Sequence, residues 1–126
     1  MFSHIMLGAN DVQKSKTFYD AILGALGYEP GVIDDKGRCF YITKAGIFCI
    51  SKPINGEPAC RGNGSTIGFS AENPELADAW HAAGIASGGT SCEDPPGVRE
   101  GRAGKIYLAY LRDPDGNKLC ALHRMA

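Results

Sequence analysis

No stretch of the sequence approaches the roughly 18 consecutive apolar residues of a membrane-spanning helix, so no membrane partner is expected. Surplus charge is also missing, with 13 basic residues against 14 acidic ones. That balance gives no electrostatic reason to expect nucleic acid or an anionic surface as a partner. The opening Met1-Phe2-Ser3-His4-Ile5 lacks a basic region followed by an apolar core. It reads as the start of a strand rather than as a signal peptide. Cys39, Cys49, Cys60, Cys92 and Cys120 are odd in number and include no CxxC pair. A disulfide framework is therefore not expected, and a reducing, cytoplasmic setting is the simpler reading. The chain is rich in apolar residues, at 44%, and in glycine, at 17 of 126 residues. The first is enough for the core of a single domain spanning 1–126, and the second suits many tight turns.

The order of elements emerges from periodicity. Phe2 to Ala9 alternates like a strand. Asp11 caps a helix running to about Leu26, with Val12, Phe18, Tyr19, Ile22, Leu23 and Leu26 on one stripe, and Gly27 ends it. Three strands are predicted near Tyr28–Ile33, Arg38–Lys44 and Ile47–Lys52. A Gly/Pro-rich connector follows, and then the pattern restarts. Thr66 to Ala71 reads as a strand, and Asn73-Pro74 as a helix start. Gly88-Gly89 closes that helix. Strand signal is weak near Thr90–Cys92 and strong at Ile106–Leu111 and Lys118–His123. Asp113-Pro114-Asp115-Gly116-Asn117 makes the turn between the last two.

The two halves overlay, which makes the repeat the main architectural signal. His4 falls on Thr66, Leu7 on Phe69, Phe18 on Trp80, Gly27 on Gly89 and Cys49 on Cys120. The second half is longer, most simply by an insertion in a loop over Glu93–Lys105. The predicted fold class is α+β: two tandem βαβββ units, about 1–53 and 65–126, joined by a connector at 54–64. Each sheet is expected to carry one helix on one face. The opposite faces are expected to look at each other around a shared pocket. Strand alternation then turns His4, Met6, Cys49, Thr66, Ser70, Cys120 and Leu122 inward. Tyr110 joins them by the same parity.

His4-Ile5, Phe18-Tyr19-Asp20 with Leu23-Gly24, and Asp113-Pro114-Asp115-Gly116-Asn117-Lys118-Leu119 resemble the vicinal oxygen chelate superfamily. That superfamily includes glyoxalase I, bleomycin-resistance proteins, fosfomycin-resistance enzymes and extradiol dioxygenases. The resemblance spans almost the whole chain and implies the glyoxalase/bleomycin-resistance/dioxygenase fold. Pro53 through Phe69 further resembles a glyoxalase-like subgroup. The resemblance implies a divalent metal held by one residue from each of four strands, usually His or Glu. His4 keeps its type there, whereas Cys49, Thr66 and Cys120 stand where Glu, His and Glu are expected. It also implies pairing into a homodimer.

Thiol and hydroxyl in place of carboxylate and imidazole do not suit a hard cation. His4, Cys49 and Cys120 would instead suit zinc, although buried free cysteines lining an apolar pocket account for the same residues. Cys120 with His4 nearby could act as a nucleophile, again set against a plain buried thiol. Arg99 and Arg102, in the inserted loop, could clamp a carboxylate or phosphate, or simply be solvated. Two functions follow from the resemblance: a glyoxalase-like lyase or isomerase, or a dioxygenase, needing a metal; or a ligand-sequestering protein of the bleomycin-resistance type, needing none. The substitutions favour small-molecule binding.

Overall fold

The structure is a computed structural model that describes residues 1–125. The first unit runs β1 (His4–Gly8), α1 (Val12–Ala25), β2 (Val32–Ile33), β3 (Cys39–Thr43) and β4 (Gly46–Ser51). The second runs β5 (Ile67–Ser70), α2 (Pro74–Ala86), β6 (Thr90–Ser91), β7 (Gly97–Gly101), β8 (Gly104–Arg112) and β9 (Lys118–Arg124). The first sheet has the order β1-β4-β3-β2, and the second β5-β9-β8 with β6 and β7 both on the far edge of β8. β1 pairs in parallel with β4, as β5 does with β9, so the two units share one topology. This is the α+β architecture of two βαβββ units.

Helix boundaries follow the local chemistry. Asp11 accepts a hydrogen bond from Lys14 N, and Asn73 accepts one from Leu76 N ahead of Pro74. Each satisfies an amide that the first helical turn leaves free. Gly27, at φ +96°, lets the chain leave α1 in the left-handed region.

Two strand expectations need correction. The strand over Tyr28–Ile33 shrinks to β2. Pro30 has no N–H for a ladder, and the Gly31 N–H is spent on Asp20 Oδ1 at 2.9 Å. The expected loop over Glu93–Lys105 contains β7, which pairs antiparallel with an extended β8. Glycines at both ends of Gly97–Gly101 and the charges within it hide its strand character.

The helices do not sit on separate cores. α1 and α2 pack against each other, and one cluster takes buried residues from both units. Phe48 of β4 meets Phe69 of β5 edge to face, with ring centroids 5.5 Å apart. Ile22 of α1, Gly84 of α2 and Leu111 of β8 meet where a Cβ on Gly84 would lie 2.3 Å from Leu111 Cδ1. The Asp113–Asn117 turn locks the units polar to polar. Tyr19 Oη donates to Asp113 Oδ2 at 2.6 Å, Asn117 Nδ2 donates to Gly8 O, and Asp115 accepts from Asn10 N and Ser15 Oγ. Asp113 Oδ1 meanwhile accepts from the Asp115 and Asn117 amides, which sets the turn itself.

Candidate functional site

Because the helix sides of both sheets share one core, their opposite faces look away from that core. A cleft opens instead between β1 and β5, which are the edge strands of their sheets. It has a volume of about 350 Å³. Its floor mixes Ile5, Leu23, Phe48, Ile67 and Phe69. Tyr28 and Tyr41 add aromatic wall, and His4, Gly68 and Ser70 bring polar groups and backbone to the mouth.

The polar groups around it are mostly committed. Tyr41 Oη donates to Asp20 Oδ1 at 2.8 Å. Burial, and next the Asp20 carboxylate, push the Tyr41 phenol far up, so it stays a neutral donor. His4 Nδ1 lies 2.8 Å from Ser3 Oγ, and the ring is exposed. The imidazole is therefore free to turn toward a ligand.

Of the expected pocket residues, the structure brings His4 and Ser70 to this cleft. Thr66 is exposed just ahead of β5, and Met6, 43% exposed, stands opposite Cys49 on the outward face. Cys49 is fully buried, with its thiol donating to Ile5 O at 3.3 Å. Burial raises its pKa. Cys120 lies between Gly68 and Tyr110 in the second sheet, its thiol also raised by burial. Leu122 is half-buried between Ser70 and Leu108. Arg99 lies in β7 and is folded onto the carbonyls of Asp94 and Pro95. Arg102 is exposed at the tip of the β7–β8 hairpin.

The expected His4, Cys49, Cys120 zinc set does not assemble in the chain. Among the described residues, no group of three or more His, Cys, Asp or Glu is placed to hold a metal ion. Cys49 is buried with its thiol on Ile5 O, His4 is exposed at the start of β1, and Cys120 belongs to the other sheet. Protonated, buried thiols and a neutral threonine hydroxyl are in any case poor partners for a hard divalent cation. The residues at the four positions do not fit the metal that the fold commonly holds.

Strand parity sent Phe48 and Phe69 to the helix side, where the core holds them, and did not mark them, Tyr28 or Tyr41 as cleft lining. The signal that finds them is topological. A βαβββ unit leaves its first strand on the sheet edge, and two such edges brought together leave a seam that aromatic side chains line.

The family model of the Glyoxalase/Bleomycin resistance protein/Dioxygenase superfamily matches residues 1–121. A glyoxalase/bleomycin resistance protein from Albidiferax ferrireducens T118, known as a crystal structure, is 65% identical; the alignment covers 98% of this chain and 99% of that one, with a TM-score of 0.95. A glyoxalase-related enzyme from Fulvimarina pelagi is 18% identical over 98% of this chain and 88% of its own, with a TM-score of 0.75. A lactoylglutathione lyase from Agrobacterium tumefaciens is 20% identical over 98% and 92%, with a TM-score of 0.67. The last two share the fold alone. No curated protein matches the sequence.

Proposed function

Since the chain belongs to the glyoxalase/bleomycin resistance protein/dioxygenase superfamily, we propose that it is a glyoxalase-like small-molecule-binding protein that takes its ligand in the β1–β5 cleft. The cleft carries this reading. Its volume of about 350 Å³ lies within the range of small-ligand sites, roughly 300–1,000 Å³. Aromatic walls with a few polar groups at the mouth are the usual composition of such sites. A compact, partly apolar ligand with an oxygen or nitrogen acceptor for His4 fits that lining. The lyase or isomerase reading needs a metal and a carboxylate base at the hairpins, and the donors present there are thiols. Binding is therefore favoured over metal-dependent turnover.

The outward face of the first sheet supports pairing with a second copy. Val32 is 70% exposed and Ile42 74% exposed, with Met6 on the same face. An apolar face of that kind is covered when two copies meet, as a symmetric homodimer would do. The five cysteines are free thiols, which suits a reducing cytosol.

A panel of small oxygenated compounds, screened by amide chemical shifts, tests the binding reading. Hits that move Ile5, Gly68 and Phe69 in the wild type, and that Ser70→Phe abolishes by filling the mouth, support it. Hits that leave those residues unmoved, or that survive Ser70→Phe unchanged, contradict it. Sedimentation tests the pairing: a dimer is expected, and Ile42→Glu should release monomers.

A further inference from the structure

The side of α2 that meets the second sheet carries Asp78, His81 and Gly84, each about one turn from the next. Gly84 sits against Leu111 of β8. Ser91 of β6 lies opposite Leu111 in the ladder, so its side chain shares the helix side of the sheet. One turn before Gly84, His81 Nε2 comes within 3.0 Å of Ser91 Oγ. One turn earlier still, Asp78 Oδ1 accepts the Tyr107 hydroxyl of β8 at 2.6 Å.

This pair is open to a reactant. β6 is an outer strand of its sheet, and its ladder stops at Ser91. Ser91 is exposed and His81 half-buried. The next amide along the chain, that of Cys92, makes no backbone hydrogen bond among the described residues. None of Asp78, His81 and Ser91 lines the β1–β5 cleft.

The protonation of His81 follows from its position. Burial lowers its pKa, and the Asp78 carboxylate acts the other way without reversing the shift. The imidazole is therefore neutral at about pH 7. Asp78 is the charge that acts on it, and Ser91 faces it from the sheet. With its proton on Nδ1, the ring accepts the Ser91 hydroxyl at Nε2. A neutral imidazole on a serine hydroxyl, with a carboxylate nearby, is the arrangement that activates an otherwise weak nucleophile. The Tyr107 bond holds that carboxylate one helical turn from the ring.

We propose that Ser91 and His81 form a nucleophilic dyad, with Asp78 as a positioning residue, that takes the acyl group of small activated oxygen esters. Ser91 Oγ bonds to the ester carbonyl carbon, and its proton passes to His81 Nε2. The bond from that carbon to the alcohol oxygen breaks, the oxygen leaves with the electron pair, and His81 returns the proton to it. Water then attacks the acyl carbon by the same route, which frees the carboxylic acid and restores Ser91. The Cys92 amide is the sequence-adjacent donor for the oxyanion formed on the way. The site is separate from the cleft, and its test is independent of ligand binding there.

p-Nitrophenyl acetate is the probe, and acetylation of Ser91, followed by peptide mass spectrometry, is the readout. Exposed Cys60 in the same digest is the internal reference. Ser91 should acetylate faster than Ser65, which is also exposed but has its hydroxyl on Gly62 O. His81→Gln keeps a hydrogen bond for Ser91 but cannot take its proton. It should slow Ser91 about 100-fold, the worth of a general base, while Cys60 labelling and circular dichroism stay those of the wild type. The wild-type rate should rise with pH about a midpoint below the ordinary histidine value, and Asp78→Asn should move that midpoint lower. Labelling of Ser91 no faster than that of Ser65, an unchanged rate in His81→Gln, or a midpoint that Asp78→Asn does not move overturns the proposal.

Discussion

Replacing Gly84 by alanine sets two effects against each other, and the structure says which wins. At an exposed helical position, Gly→Ala stabilises by about 1 kcal/mol, because alanine restricts the unfolded chain and suits the helix. Gly84 is not exposed. It is buried in α2, and an added Cβ would stand 2.3 Å from Leu111 Cδ1 and 3.1 Å from Ile22 Cγ2. Leu111 and Ile22 are both fully buried and have no free volume to move into. Overpacking such a junction costs about 1–3 kcal/mol and tends toward the upper end when two elements must separate. The net expectation is destabilisation of about 1–2 kcal/mol. For a chain of 126 residues, an unfolding entropy of about 2.1 cal/mol/K per residue converts this to a drop in Tm of about 4–8 °C. Thermal unfolding followed by circular dichroism reads it directly. A Tm that holds or rises would mean that α1, α2 and β8 do not meet at Gly84, and the shared core would have to be redrawn.

Tyr19→Phe removes the buried donor that ties the first unit to Asp113 and should cost about 1.5–3 kcal/mol. Tyr107→Phe loses an exposed bond to Asp78 and should cost under about 1 kcal/mol; urea unfolding that ranks them the other way would contradict the buried clamp. Burial acts to raise the Asp20 carboxyl, but Lys16, the Gly31 N–H and the Tyr41 hydroxyl together hold it below its usual value. Its folded pKa is thus lower than its unfolded one, so its contribution to stability is complete above about pH 4 and fades as the pH falls through the folded value. Asp20→Asn should flatten that acid limb, and an unchanged limb would count against it. Thiol alkylation read by mass spectrometry should label exposed Cys60 first, then Cys92, with Cys39 and Cys49 protected until unfolding. Early labelling of Cys49 would place it at the surface.

Much of the fold was legible because each unit carries complete local signals. Asp11 and Asn73 are side-chain caps, Gly27 turns out of α1, and the overlay of His4 on Thr66 and Phe18 on Trp80 exposed the repeat. β7 was hidden, since its strand character comes from pairing with β8 rather than from any apolar alternation of its own. The site was less legible for a related reason. Parity put Phe48 and Phe69 on the helix side, where they pack, yet parity is blind to how two sheets are set against each other. The expectation that His4, Cys49 and Cys120 meet assumed outward faces closing on a pocket, whereas Cys49 is buried with its thiol on Ile5 O, His4 is exposed and Cys120 belongs to the other sheet.

Where a ligand sits is decisive, and a crystal structure of the protein with a bound hit from the screen tests it most directly. Density held between Ile5, Tyr41 and Phe69, within reach of His4, is the predicted result. A ligand seated elsewhere, with the β1–β5 cleft filled by water or collapsed, would contradict it.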